Sequence, residues 1–455
     1  MSIIHNQTQL LSHGACSLRR KAIDLVEHAL VAADPYHVVK ELVHLEDDHL
    51  FVGDLCYDMS RRGKIYVLGA GKATFRIAQA LDEILGSRIE EGVIAVNQCP
   101  SNHLGRIRVL EAAHPIPDER SYEAAQQIMM CAQRAGEGDL VFAAVTGGSS
   151  ALLCHPAEGI SLEEKRRVHE LLLASGADIT AINAVRKHLS KVKGGLLAQA
   201  VLPAELINLT VSDVVGDPFD FITGPTVADT CSVEDALDVL KRYDLWDKVA
   251  ASVRRHLSRG SLVETPKALD DQWVRTFVLV PSATACNAAS KMAEDMGFKP
   301  LVLTTSLEGE SADAGMFLGA IAREIVLTGR PIDRPCAVIA SGETTVTLLD
   351  AEGSGGPSQE FALGAALKIK GMSQVVLAAV DTDGFDGPTP FAGALVDGAT
   401  CGRAEELGYA PFRQLRAHDT TPVLRDVGDV LLTGPTGTNI ADLVVMLIGA
   451  GEGLG

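Results

Sequence analysis

The chain has 455 residues, of which 47% are hydrophobic and 22% charged, and its formal net charge is −19 at pH 7. This length exceeds one ordinary hydrophobic core and predicts two domains, each able to fold without disulfides or structural metals. The strong negative charge argues against nucleic acid as the main partner, because contacts to a phosphate backbone need a basic surface.

The cysteines and the N-terminal residues bear on the cellular compartment. Nine cysteines lie scattered through apolar segments without a Cys-x-x-Cys pair, which predicts reduced thiols in a cytoplasmic protein and disfavours cysteine-bound metal. Residues 1–17 lack the charged and apolar regions of a secretory signal, and no apolar run reaches membrane-spanning length. We therefore expect no membrane partner.

In the first half of the chain, apolar runs of strand length alternate with segments of helical period. Strands are predicted at residues 65–68, 93–96, 108–110, 140–145 and 206–211, and helices at residues 72–80, 121–134 and 161–174. This alternation predicts a mostly parallel sheet with helices on both faces.

A second series of strands follows a charged and then irregular stretch near residues 232–271. Its members are residues 277–280, 301–303, 337–339, 375–380 and 443–448. This series predicts a second α/β domain. We therefore expect domains at residues 1–245 and 260–455.

The turn at residues 69–73, Gly-Ala-Gly-Lys-Ala, joins the first predicted strand to a helix. Backbone N–H groups and the Lys72 ammonium would converge there and could hold a phosphate or carboxylate. The turn lacks the third small residue of a dinucleotide fingerprint, where Thr74 stands, and the hydroxyl residue of a Walker A loop, where Ala73 stands. A plain strand-to-helix turn with an exposed lysine fits equally well.

Three further turns are rich in glycine and hydroxyl residues: residues 146–151, 341–346 and 353–360. Their backbone amides could bind additional anions. Residues 147–151 do not match the G-x-S-x-G nucleophile elbow, so a serine hydrolase is set aside.

Aspartates stand after two predicted strands, Asp213 among residues 212–229 and Asp383 among residues 381–389. Ligands of open α/β sheets bind beyond the carboxyl ends of strands, where such carboxylates could hold Mg²⁺. For any single aspartate, a turn-forming or helix-capping role is the favoured interpretation. Their recurrence at strand ends favours the metal.

Two segments supply candidate basic groups. Residues 112–118 fix His114 next to prolines, although a lone histidine is more often structural than catalytic. Residues 183–195 have the pattern of a basic helix that includes Arg186 and Lys193. Such a helix would attract an anionic substrate, and a solvated helix face is the alternative interpretation.

In their order and spacing, these motifs resemble the glycerate 2-kinases of the MOFRL type over nearly the whole chain. The resemblance rests on residues 69–73, 113–118, 146–151, 183–195, 212–229, 341–344 and 381–384. It implies an N-terminal Rossmann-like domain, a C-terminal α/β MOFRL domain at about residues 330–450, and an active site in the cleft between the two domains. It also implies phosphorylation of D-glycerate by ATP at the 2-hydroxyl, which gives 2-phosphoglycerate.

The resemblance implies that Lys72 and Asp213 are the essential lysine and aspartate of the family. Asp213 and Asp383 are the candidate Mg²⁺ ligands. The candidate substrate and phosphate ligands are Gly69, Gly71, His114, Gly147, Gly148, Ser149, Ser150, Arg186 and Lys193. The candidate nucleotide ligands are Ser341, Gly342, Glu343, Thr344, Gly355 and Gly356. Which domain holds ATP, and which aspartate binds the metal, stay open.

The sequence departs from the family pattern at Pro357, where many members have an arginine. Proline cannot make the charge-assisted contact of a guanidinium. Either Arg186 or Lys193 substitutes for it, or the acceptor is another small hydroxy acid.

Two other function classes are alternatives to the kinase. Some relatives with such a proline are named hydroxypyruvate reductases, but the turn at residues 69–73 lacks the features of a nicotinamide site. A lysine, Mg²⁺ and glycine-rich turns suit phosphoryl transfer better. A ligand-binding protein without catalysis would not need Asp213 and Asp383. The oligomeric state is open, with a homodimer as one allowed assembly.

Overall fold

The computed structural model describes residues 2–99, 101–211, 224–270, 272–348 and 353–450. These residues divide into two compact units, one of residues 35–211 and 224–280 and one of residues 2–34 and 281–450. No helix within the described ranges is long and apolar enough to cross a membrane.

Helices and strands are interspersed along the chain. The described helices are α1 Gln7–Leu10, α2 Cys16–Ala32, α3 Pro35–Leu42, α4 Thr74–Leu85, α5 Glu119–Ala132, α6 Ser149–Leu152, α7 Leu162–Ala174, α8 Ile179–His188, α9 Leu196–Val201, α10 Val233–Arg242, α11 Ala251–Leu257, α12 Ala283–Asp295, α13 Ser311–Thr328, α14 Pro357–Ile369, α15 Thr400–Glu406, α16 Pro411–Arg416 and α17 Thr420–Asp426. The described strands are β1 Val43–Glu46, β2 His49–Val52, β3 Leu55–Asp58, β4 Ile65–Ala70, β5 Ile89–Val96, β6 His103–Leu104, β7 Ile107–Glu111, β8 Leu140–Thr146, β9 Glu205–Val211, β10 Val274–Val280, β11 Lys299–Leu307, β12 Cys336–Gly342, β13 Val375–Asp381, β14 Gly393–Asp397, β15 Val430–Leu431 and β16 Asp442–Ile448.

The first unit contains a sheet with the strand order β10-β9-β8-β4-β5-β7-β6. All described pairs in it are parallel except β6 with β7. The central strands β4 and β8 are buried at every position, as expected of a parallel sheet with helices on both faces. The predicted mostly parallel, Rossmann-like sheet is confirmed.

The second unit contains a sheet with the strand order β11-β12-β16-β13-β14-β15. Only β11 and β12 pair in parallel, and the other described pairs are antiparallel. Its core joins strand residues such as Val338 and Leu377 to Phe361 and Leu363 of α14. This unit is the second α/β domain expected from the sequence.

The two units interleave along the chain, unlike the division at residues 1–245 and 260–455 expected from the sequence. Strand β10 pairs with β9, with Val274 opposite Leu206, so residues 274–280 extend the first sheet. Residues 2–34 belong to the second unit, where the buried Arg19 bonds to Asp397 at 2.9 Å and to Asp429 at 2.6 Å.

Candidate active site

The first unit brings Lys72, His114 and Gly148 together at the carboxyl ends of the central strands. A Cβ atom added to Gly148 would lie 3.2 Å from both Lys72 Cγ and His114 Cδ2. Gly148 is the residue before α6 and has a φ of 82°, a backbone conformation that favours glycine. Three candidates far apart in sequence therefore meet at one point, and a side chain at position 148 would fill it.

The backbone amides of the 69–73 turn bind other parts of the protein. The Lys72 N–H donates to Gly147 O at 2.9 Å, and the Gly71 N–H donates to Ala95 O at 3.1 Å. The Ala73 N–H donates to Thr146 Oγ1 at 3.1 Å. Because these donors are already used, the interpretation of this turn as an amide cradle for an anion needs correction. The Lys72 side chain is what the turn presents.

Gly69 and Gly71 allow the two glycine-rich turns to pack against each other. A Cβ atom at Gly69 would lie 2.2 Å from Ala144 O, and one at Gly71 would lie 2.0 Å from Thr146 Oγ1. Contacts this short exclude any side chain. The two glycines thus fix the distance between strands β4 and β8, on which the position of Lys72 depends.

A second cation reaches the turn that contains Gly148. The Arg186 guanidinium donates to Ser150 Oγ at 2.9 Å and to Asn183 Oδ1 at 3.3 Å. Burial lowers the pKa of Arg186 from its usual value, yet a guanidinium stays charged in proteins. The neighbouring Ser149 hydroxyl is buried and has no hydrogen-bond partner among the described residues.

Lys193 has a different position from the one expected on a basic helix. Helix α8 ends at His188, so Lys193 lies in the following turn, where the Gly194 and Gly195 φ angles are positive. Its buried ammonium donates to Ser150 O at 2.7 Å and to Leu153 O at 3.3 Å. Burial, with the nearby Arg186 charge, lowers the pKa of Lys193 well below its usual value. These contacts hold the backbone of the Ser150 turn in place.

In the second unit, three strand ends form one row. Gly342 of β12 pairs with Asp442 of β16, and Asp442 pairs with Asp381 of β13. The candidate nucleotide residues Ser341 and Thr344 are buried beside this row, whereas Glu343 is exposed.

Asp386 occupies the N-terminus of α14, where a nucleotide phosphate was expected at Gly355 and Gly356. Its carboxylate accepts the N–H groups of Ser358 at 2.9 Å and Gln359 at 2.8 Å. A Cβ atom at Gly356 would lie 2.4 Å from the Asp386 carboxylate, so the glycine makes room for that side chain. The amides of Ser358 and Gln359 therefore serve Asp386 in this structure, whereas Gly355 and Gly356 stay predicted nucleotide ligands.

Asp442 is a buried acid that the sequence reasoning missed. It accepts hydrogen bonds from Ser358 Oγ at 3.1 Å and Thr344 Oγ1 at 3.4 Å. Burial and the nearby Asp386 carboxyl raise the pKa of Asp442 to about 7. The one signal in the sequence was a charged residue opening an apolar run, residues 443–448.

The raised pKa of Asp442 predicts a pH-dependent stability. The pKa of this carboxyl is 3.8 in the unfolded chain and about 7 in the folded protein. Between these two pH values the folded protein keeps a proton that the unfolded chain has released, so the stability from this carboxyl is lost as pH rises through the range. We expect Asp442→Asn, which cannot titrate, to gain about 1–3 kcal/mol of unfolding free energy relative to wild type between pH 5 and pH 8. Urea titrations at several pH values measure this difference. If the unfolding free energies of Asp442→Asn and wild type changed with pH in parallel, the prediction would be wrong. The matched control is Asp333→Asn, because Asp333 is exposed.

The candidate metal ligands have local partners or fall outside the described residues. Asp383 Oδ1 accepts the Phe385 N–H at 2.8 Å, and the Asp383 N–H donates to Asp381 Oδ1 at 3.1 Å. No group of three acidic, histidine or cysteine side chains in the described part of the chain could hold a metal ion. Asp213 lies outside the described residues. Since Mg²⁺ often takes only one or two protein carboxylates besides phosphate and water, Asp383 stays a predicted ligand.

Comparison with known proteins identifies the class to which this fold and site belong. A domain of unknown function, DUF4147, matches residues 21–258, and the MOFRL family matches residues 336–442. The chain is 42% identical to the glycerate 2-kinase of Pyrococcus horikoshii, covering 96% of this chain and 99% of the relative. It is also 42% identical, over 85% of this chain and 88% of the relative, to an Agrobacterium vitis protein whose provisional name is hydroxypyruvate reductase.

A solved structure extends the match to three dimensions. The crystal structure of a glycerate kinase from Thermotoga maritima superposes with a TM-score of 0.82 at 37% identity, covering 95% of this chain and 99% of that one. The chain belongs to the MOFRL-type glycerate 2-kinase family, which confirms the resemblance seen in the sequence.

Proposed function

We propose that this protein is a glycerate 2-kinase that transfers the γ-phosphoryl group of ATP to the 2-hydroxyl of D-glycerate and needs Mg²⁺. The observation that carries the proposal is the convergence of two cations on one turn: Lys72 lies against Gly148, and Arg186 binds Ser150. The relatives named glycerate 2-kinase support the same reaction.

The two cations suit the demands of phosphoryl transfer. Such a reaction needs little covalent chemistry from the protein and depends on positioning and on positive charge around the moving group. Lys72 would stabilise the transferred phosphoryl group, and Arg186 would bind the glycerate carboxylate. Mg²⁺ would bridge phosphate oxygens and neutralise their charge, with Asp213 and Asp383 as its proposed ligands.

The hydrogen bonds of the 69–73 turn argue against the reductase. A dinucleotide pyrophosphate binds to free N–H groups at the start of the first helix. Here Gly71, Lys72 and Ala73 donate their N–H groups within the protein. The glycine turn therefore does not provide the usual NAD(P)H site.

We expect the purified protein to release ADP from ATP with D-glycerate only when a divalent cation is present, because the phosphate oxygens need a bridging ion. A coupled ADP assay over three- and four-carbon hydroxy acids measures this, with NAD(P)H oxidation by hydroxypyruvate run in parallel. Equal ADP release in excess chelator would contradict the metal requirement. Oxidation of NAD(P)H without ADP release would make the protein a reductase.

We further propose a cytoplasmic enzyme. All nine cysteines, every one within the described residues, are free thiols, as is usual in a reducing compartment. Assembly as a homodimer stays a prediction, which the mass from analytical ultracentrifugation would check.

A further inference from the structure

The two peptide groups that flank the Lys72 Cα atom are both held by residues at the end of β8. The Lys72 N–H, in the peptide group before this atom, donates to Gly147 O at 2.9 Å. The Ala73 N–H, in the peptide group after it, donates to Thr146 Oγ1 at 3.1 Å. Since the planes of these two peptide groups define φ and ψ of Lys72, they set the direction in which its side chain leaves the backbone.

The second of these hydrogen bonds depends on the amino-acid sequence. Gly147 O is a backbone atom that any residue at position 147 would supply, whereas the acceptor at position 146 is a side-chain hydroxyl. Ala73, the residue before α4, has no side-chain oxygen with which to cap the helix, although serine, threonine, aspartate or asparagine is usual at this place. The start of α4 therefore relies on a hydroxyl group from another element.

A chain of hydroxyl groups links the Ala73 N–H to the sheet. Thr74 Oγ1 lies 3.0 Å from Ala144 O and 3.3 Å from Thr146 Oγ1. A carbonyl oxygen only accepts, so the single hydroxyl proton of Thr74 goes to Ala144 O. The Thr146 hydroxyl must then donate to Thr74 Oγ1, while its oxygen accepts the Ala73 N–H. Every hydrogen bond in the chain thus has one direction, from the Ala73 N–H to the Ala144 carbonyl.

The chain is closed to solvent. Thr74 is fully buried and Thr146 is 1% exposed. A methyl group in place of the Thr146 hydroxyl would leave the Ala73 N–H buried without a partner, which is unfavourable. The N–H group then reaches another partner only if the peptide group after Lys72 rotates, and such a rotation redirects the lysine side chain.

We propose that Thr146 is the positioning residue for Lys72: its hydroxyl fixes the peptide group that aims the lysine ammonium at the transferred phosphoryl group. This inference rests on the role proposed above for Lys72. It gives the Thr146 side chain an effect on catalysis that is separate from the packing of β8 against α4. A misplacement of about 1 Å can lower a rate ~10²-fold, so a small rotation at Lys72 has a measurable effect on kcat.

Steady-state kinetics of three variants at position 146 test the proposal. We expect Thr146→Val to lower kcat at least ~10-fold and to change KM for ATP and D-glycerate less than about threefold, because Lys72 acts on the transition state. Thr146→Ser keeps the hydroxyl group and should stay within about twofold of wild type. Thr146→Ala should lie between these two, since a water molecule can enter the space left by the side chain and accept the Ala73 N–H.

A double-mutant cycle with Lys72→Ala separates positioning from a general loss of structure. If Thr146 acts through Lys72, Thr146→Val should lower kcat less than about twofold in the Lys72→Ala background, because the contribution of the lysine is already lost. Thr400→Val is the matched control, since Thr400 is a fully buried threonine of the second unit whose hydroxyl accepts the Asp397 N–H at 2.9 Å and donates to Asp429 at 2.6 Å. This control should lower the melting temperature and leave kcat within about twofold of wild type.

Competitive labelling of the full chain with acetic anhydride follows Lys72 without any assay of the reaction. The amine reactivity depends on its surroundings, so the ratio of acetylation at Lys72 to that at the exposed Lys64 should change at least ~3-fold in Thr146→Val and return to the wild-type value in Thr146→Ser. Peptide mass spectrometry measures this ratio.

Three outcomes would overturn the proposal: an unchanged labelling ratio in Thr146→Val, an equal loss of kcat in the serine and valine variants, or an undiminished effect of Thr146→Val in the Lys72→Ala background. If wild type showed no kinase activity while the labelling ratio still changed, the proposed function would fail and the positioning of Lys72 by Thr146 would stand.

Discussion

Replacing Lys72 with alanine is expected to lower kcat at least ~10²-fold, since one preorganised charge at a developing anion is typically worth ~3 kcal/mol of transition-state stabilisation. The fold should survive, because the turn is held by the main-chain bonds of Gly71, Lys72 and Ala73, which the substitution keeps. Steady-state kinetics with ATP and D-glycerate measure the loss, and a thermal melt checks the fold.

Lys64→Ala is the matched control for that experiment. Lys64 immediately precedes the same strand, β4, at its opposite end and forms an exposed ion pair with Glu90. The Lys64→Ala substitution should leave kcat within about twofold of the wild-type value, because an exposed ion pair contributes little to stability. Unchanged turnover in a folded Lys72→Ala protein would mean that Lys72 is only part of a tight turn.

The central sheet of the first unit could be predicted because each of its central strands has a recognisable local sequence pattern. β4 and β8 are continuous apolar runs followed by glycine-rich turns, a pattern typical of buried parallel strands. The place of β10 could not be predicted in this way, because its pairing with β9 is a long-range contact. The same holds for residues 2–34, which Arg19 ties to Asp397 and Asp429, more than 370 positions away.

The proximity of Lys72, His114 and Gly148 could be predicted from the sequence, but the hydrogen bonds of the turns could not. Glycine-rich turns after strands indicated where the residues gather, and Lys72, His114 and Gly148 do meet. The partners of two amides of the first turn, Thr146 Oγ1 and Gly147 O, come from the end of β8 and the turn that follows it. A single sequence does not reveal whether an N–H group in such a turn is left for a ligand.

The hydrogen-bond partners in the turn at residues 353–360 could not be predicted from the sequence either. Asp386 stands 28 residues after Ser358, so nothing local marks it as the acceptor at the N-terminus of α14. Pro357 is the first residue of that helix, where proline is favoured because its missing N–H would be unpaired anyway. Proline is therefore favoured at position 357 for a structural reason, which is independent of the arginine that many family members have there.

If Arg186 supplies the charge that Pro357 lacks, Arg186→Ala should raise KM for D-glycerate at least ~10-fold, since a charge-assisted hydrogen bond to a carboxylate is worth about 1.5–3 kcal/mol. Pro357→Arg should then bring no gain, because the carboxylate is already neutralised. Initial rates over a range of glycerate concentrations measure both effects.

Arg167→Ala is the matched control, because Arg167 is an exposed arginine of α7 paired with Glu170. Lys193→Ala is not an equivalent test of charge, since the buried Lys193 ammonium bonds to Ser150 O and Leu153 O and its loss would leave both carbonyls unpaired. The opposite result is equally informative. If Pro357→Arg raises glycerate turnover while Arg186→Ala changes nothing, no substitute cation is present, and the natural acceptor is a different small hydroxy acid, because a site selects the substrate whose charged groups it can pair.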